Sequence, residues 1–95
     1  MARAMWNGTV LAESDAFIVV ESNYYFPPGD VHFEYLREDP AHHTECPWKG
    51  SASYYDVVAN GQTNRDAAWY YPHPKEKAKH MAGYITFCKG IRVEH

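Results

Sequence analysis

Ninety-five residues with 45 % hydrophobic and 16 % aromatic side chains are enough for one small domain, residues 1–95, with a thin core that buries roughly 60–68 % of the unfolded surface. A formal net charge of −3 leaves no basic stripe for non-specific nucleic-acid binding. No apolar run approaches the roughly eighteen residues of a membrane span, and the start, Met1 to Trp6, lacks the apolar stretch of a signal peptide, so the expected location is cytoplasmic.

In chain order, the pattern is mostly β. Asn7-Gly8 is a type I′ hairpin signal between short strands. Thr9 to Ala12 reads as the outgoing strand, Ser14-Asp15 as a turn, and Phe17 to Glu21 as an apolar strand ending in a carboxylate. Ser22 to Asp30 holds Asn23, Pro27, Pro28 and Gly29, which predicts a loop carrying three consecutive rings, Tyr24-Tyr25-Phe26. Val31 to Leu36 is too short for periodicity to separate a helical turn from a strand, and Glu38-Asp39-Pro40 breaks it.

A second hairpin is clearer. Ser51 to Ala59 runs out, Asn60-Gly61 turns and Gln62 to Tyr71 returns. A two-residue turn pairs Ala59 with Gln62, and counting back sets Asp56 against Arg65, Tyr54 against Ala67 and Ala52 against Trp69. That register puts Gly50 near Tyr71. Pro74 then opens a short helix, Lys75 to Met81, with Gly83 as its stop, followed by strands at Tyr84 to Cys88 and Ile91 to Val93. Six or seven strands with one short helix near the C-terminus predict a compact β-sandwich or partial barrel.

The chemistry-bearing residues cluster around two proline-marked turns, Cys46-Pro47-Trp48-Lys49-Gly50 and Trp69-Tyr70-Tyr71-Pro72-His73-Pro74. Two Cys and six His do not form a zinc pattern: Lys49 stands where a C-x-x-C knuckle needs its second thiol, and Cys88 has no partner nearby. Neither a metal nor another cofactor is expected. The same Lys49 removes the resolving thiol that dithiol redox chemistry requires. Cys46 alone is a weak candidate nucleophile, its thiol activated by Lys49, against the plainer reading of a buried turn residue. Cys88, in a β-like run, reads as a small hydrophobe. Glu21, at a strand end before the aromatic loop, is the best candidate for a tuned carboxylate and general base, against the plainer reading of a surface charge. Phosphate-cradling and nucleophile-elbow motifs are absent.

The ordered series Trp6-Asn7-Gly8, Ala12-Glu13-Ser14, Tyr25-Phe26-Pro27, Thr44 to Gly50, Tyr54-Tyr55, Ala68 to Pro74 and Gly83 to Phe87 resembles the domain-of-unknown-function 427 family over nearly the whole chain. Lys75-Glu76-Lys77-Ala78-Lys79 is similar to its short, cyanobacterial-type members. The resemblance implies a tent-like β fold similar to that of cereblon's ligand-binding domain, Yippee and methionine sulfoxide reductase B. Relatives of that fold hold zinc through two C-x-x-C knuckles, and this chain lacks three of the four thiols. The family's label mentions nucleotidyl transfer, and no Gly-Ser followed by paired Asp supports it here. Tyr25, Cys46, Lys49, Trp69 and Tyr71 fall on the family's signature positions.

These readings converge on an expected aromatic pocket that binds a small polar or anionic ligand. Tyr25, Phe26, Trp48, Trp69 and Tyr71 would wall it, and Lys49 and Glu21 would fix the ligand's polar end. The alternatives are a small enzyme using Cys46 or Glu21, or an interaction module whose aromatic face meets a partner or a second copy in a homodimer.

Overall fold

Asn7-Gly8 and Asn60-Gly61 hold φ at +50° and +73°, and at +50° and +78°. That is the type I′ geometry whose twist matches antiparallel strands. The first turn joins β1 (Ala2–Trp6) to β2 (Thr9–Ser14), and the second joins β6 (Gly50–Ala59) to β7 (Gln62–Tyr70). The remaining strands are β3 (Ile18–Val20), β4 (Asn23–Tyr25), β5 (Leu36–Cys46), β8 (Thr86–Phe87) and β9 (Arg92–Glu94). This computed structural model describes residues 1–95. It is mostly β, with sheets ordered β2-β1-β9, β3-β4 and β5-β6-β7-β8, none of them closed into a barrel.

Three local expectations change. The segment Ser22 to Asp30 is not all loop. Glu21 and Ser22 take φ of +53° and +68° and form a two-residue turn, so that Tyr24 and Tyr25 lie on β4, paired with Val19 and Ile18. No glycine marks this turn, so residue type alone did not disclose it. Pro40 does not end the chain's extended course. β5 runs through it as an edge strand, where a missing N–H is tolerated, and the register slips between Asp39 and His43. The predicted helix is a 3-10 helix, Glu76–Met81, and of two shorter 3-10 turns one, Pro28–Asp30, lies in the segment read as loop and the other, Phe33–Tyr35, occupies the ambiguous segment Val31 to Leu36.

The register of the second hairpin also differs from the simple count. Ala59 does pair with Gln62, and Val57 with Asn64, but Tyr55 then pairs with Ala68, Tyr54 with Trp69 and Ser53 with Tyr70. Three residues of β7 oppose the single Asp56 of β6. The bulge turns on Asp66, a non-glycine residue at φ +53°, whose N–H donates to the Asp56 carboxylate at 2.8 Å. Asp56 therefore supports the bulge rather than pairing with Arg65. The slip is by two residues, so the pairs beyond the bulge keep their faces of the sheet, while Ala67 within it joins Ala68 in the larger core rather than facing Tyr54.

Face parity divides the interior in two. On one side of β6 and β7 lie Tyr55, Val57, Ala68 and Tyr70, within or against a core that includes Leu11, Phe26, Ile85 and Phe87. On the other lie Ala52, Tyr54, Trp69 and Tyr71, with Tyr25, Ala78 and Met81. Adjacent residues Tyr25 and Phe26 point into different cores because strand side chains alternate. Phe26 is locked by paired backbone bonds with Ile85, 2.7 and 2.8 Å, and packs edge-on against Phe87 at 5.9 Å. Phe26→Ala should cost about 3–5 kcal/mol. Urea unfolding checks this value, and a loss below about 1 kcal/mol would show that Phe26 is not a keystone of the larger core.

Candidate functional site

Pro47, Trp48 and Lys49 form the three-residue loop between β5 and β6, with Cys46 paired to Gly50 across it. Gly50 has φ +110°, open only to glycine, and a Cβ there would meet the backbone of His73 and Lys75 at 3.5 and 3.6 Å. The two-residue slip thus sets Gly50 beside His73 rather than Tyr71. The Lys75 N–H donates to the Lys49 carbonyl at 2.9 Å, and the Lys75 ammonium to the Pro47 carbonyl at 2.8 Å. The post-Tyr71 turn therefore grips the loop from outside and directs the Lys49 side chain inward.

Lys49 is only 5 % exposed. Its ammonium lies 5.3 Å from the centre of the Tyr71 ring and 5.4 Å from that of Trp48, within cation–π range of both. It donates to Glu21, which is its ion-pair partner. The Trp48 indole N–H also approaches Glu21, at 3.4 Å. Glu21 itself is 53 % exposed and rides on the positive-φ turn between β3 and β4. Of the two readings of Glu21, the surface charge is the one the fold realises, and the buried charge is its lysine partner.

The remaining residues divide. Tyr25 and Tyr71 are buried in the smaller core, with Trp69 and Cys46 packed against it. The Tyr25 hydroxyl is sealed from solvent and has no hydrogen-bond partner; the Trp69 indole lies beside it without bonding geometry. Trp48 is exposed at the rim. Phe26 belongs to the larger core and stands apart from the group. Neither surface concavity touches Lys49. One, of about 270 Å³, lies among Trp6, Asn7, Gly8, Gly90 and Arg92. The other, of about 130 Å³, lies among Asp39, Pro40, His43, Tyr54 and Tyr70. The space around the Lys49 ammonium is filled by rings and by Glu21.

The electrostatics follow this packing. Bonds from Lys49 and Trp48 hold the Glu21 carboxyl below its usual range. Burial opposes the charge on Lys49, but Glu21 and the two phenol groups outweigh it and leave the ammonium harder to deprotonate than a free lysine. Burial raises Tyr25 and Tyr71, against the pull of the same ammonium. Lys49 thus stays a cation across the physiological range and is no amine nucleophile.

The linkage has a definite sign. Glu21, with its lowered pKa, contributes stability above the ordinary carboxylate value of about 4.3, and loses it as pH falls through its folded value. Lys49, with its raised pKa, contributes fully below about 10.4 and loses its share only as pH rises beyond its folded value. Glu21→Gln should therefore flatten the acid limb of the stability–pH curve, because no carboxylate is left there to protonate. Urea unfolding from pH 3 to pH 8 reads this directly, and an unchanged acid limb would show that the ion pair is energetically silent.

Sequence comparison adds the lineage of this arrangement. No curated protein matches the chain. The family model described as Domain of unknown function (DUF427) matches residues 1–95, and the chain belongs to that family.

Proposed function

We propose that the protein binds a small polar or anionic ligand at Lys49, and that Glu21 is the group the ligand displaces. The observation that carries this reading is the mismatch within one ion pair: a nearly buried ammonium whose carboxylate partner is exposed on a turn. A buried charge needs a partner, but this one can swing into water at small cost to itself. A ligand carboxylate, phosphate or sulfonate would take its place. Trp48 at the rim and Tyr71 beside the ammonium would hold the ligand's apolar body.

The enzyme alternative is less well supported. The lowered pKa of Glu21 makes it a weak general base near neutrality. Cys46 packs against the smaller core, half-buried beside Tyr71. Modification of Cys46 by iodoacetamide with loss of a measurable turnover would favour it, and a concentration-dependent mass in solution would favour association of copies through the aromatic face. The proposal includes a cytoplasmic setting in which both thiols stay reduced.

The test uses tryptophan fluorescence and amide chemical shifts while the protein is titrated with a panel of aryl carboxylates, aryl phosphates and nucleotides. Saturable changes at Trp48 and Glu21 are expected from at least one class. Lys49→Met should abolish them, because an apolar side chain of similar length keeps the packing and removes the charge. Glu21→Gln should strengthen binding several-fold, since the ligand no longer competes with a tethered carboxylate. Binding that Lys49→Met leaves intact, or that Glu21→Gln weakens, would overturn the reading.

A further inference from the structure

Away from Lys49, both register breaks of the four-stranded sheet converge on one spot. The slip in β5 lies between Asp39 and His43, and the bulge of β7 is built on Asp66. Together they bring Asp39, His42 and Asp66 into a single group in which one oxygen or nitrogen atom from each residue lies within 4.8 Å of the other two. Two ligands bound at about 2.1 Å to one ion stand roughly 3–4 Å apart, so only a small inward movement separates this group from a coordination shell.

Three features distinguish the group from a chance surface ion pair. First, Asp66 holds two carboxylate oxygens in different states. Its Oδ2 faces His42 Nδ1 at 2.7 Å, whereas its Oδ1 is sealed from solvent and accepts no hydrogen bond. A buried carboxylate oxygen without a donor is costly, and a cation would satisfy it. Second, the donors are positioned from behind. Asp56 accepts the Asp66 N–H at 2.8 Å, and the His42 ring stacks on Tyr54 at 4.2 Å. Third, the residue that carries the orphan oxygen sits at the bulge at φ +53°, a left-handed conformation open to aspartate, and this sets its side chain against His42. Bulges of this kind re-aim side chains beside functional sites.

We propose that Asp39, His42 and Asp66 form a binding site for one divalent first-row transition ion, with Zn²⁺, Co²⁺ and Mn²⁺ as the class that one imidazole and two carboxylates suit. His42 ligates through Nδ1, so its bond to Asp66 Oδ2 is exchanged for one to the ion, and any proton on Nδ1 leaves to solvent. Three protein ligands leave one or more positions to water. Asp39 also lines the groove shared with Tyr54 and Tyr70, so those positions face accessible space. This site is independent of Lys49 and holds whether or not an anion binds there.

The expectation of no metal rested on cysteine spacing, with Lys49 in place of a knuckle thiol and Cys88 without a partner nearby. It had no means of seeing that two strands away a bulge presents Asp66 to His42.

The experiment is a Co²⁺ titration of untagged, chelator-treated protein. One equivalent should bind with a visible ligand-field band, and Zn²⁺ should displace it. His42→Ala and Asp66→Asn should each weaken uptake at least tenfold. Asparagine accepts positive φ, so Asp66→Asn keeps the bulge, and near-ultraviolet circular dichroism verifies the fold of both variants. Lys49→Met should bind Co²⁺ as the parent protein does. No saturable uptake up to millimolar Co²⁺, or uptake unchanged in both His42→Ala and Asp66→Asn, would overturn the proposal.

Discussion

Both faces of the β6–β7 hairpin are buried, and most of the molecule is arranged to meet that constraint. A short chain has few large aliphatic residues to spend on two cores, and rings supply the area instead. Tyr55 stacks on Tyr70 at 5.1 Å on one side, and Tyr54 leans on Trp69 at 6.3 Å on the other. The short β3–β4 ribbon closes the smaller core with Tyr25 and delivers Phe26 to the larger one in the next residue. The β1–β2 hairpin covers the larger core with Leu11 and with Ala2, Ala4 and Ala12, small residues that let its backbone lie close.

The buried Lys49 ammonium is a consequence of this two-core plan. The smaller core has only a handful of buried residues, and its open end is filled by the lysine stem between Trp48 and Tyr71. A long cationic side chain can contribute its methylenes to such a core provided its head finds a partner. Glu21 provides one from the edge of a different sheet. The ion pair thus ties the β3–β4 ribbon to the β5–β6 loop, two elements far apart in sequence.

The strain in the chain is not spread evenly. Asn7 and Asn60 sit at positive φ in hairpin turns, where their residue type is suited to it. Glu21 and Ser22 take positive φ in the two-residue turn that partners Lys49, without the asparagine or glycine such turns favour, and Asp66, of a type that tolerates it, does so at the bulge beside His42. Local conflict of the kind at Glu21 and Ser22 is where a fold departs from its own simplest solution.

The mostly β class, both Asn-Gly hairpins and the gathering of Lys49, Trp48, Trp69 and Tyr71 near one end of the second hairpin were legible in the chain, because turn chemistry and strand alternation are local properties. The family signature was legible for the same reason, as an ordered set of short motifs. Burial was not. Nothing local distinguishes Lys49, inside, from Glu21, outside, since that depends on which strands close over which loop. Nor does local pattern reveal a bulge: the count from Asn60-Gly61 erred by two residues at Asp56, and because the error was even it misplaced only the face of Ala67, inside the bulge, and not those of the pairs beyond it. Tertiary packing alone decided that Phe26 leaves the aromatic group for the larger core, and that Asp39, His42 and Asp66 meet, because each outcome is set by contacts between strands rather than within one.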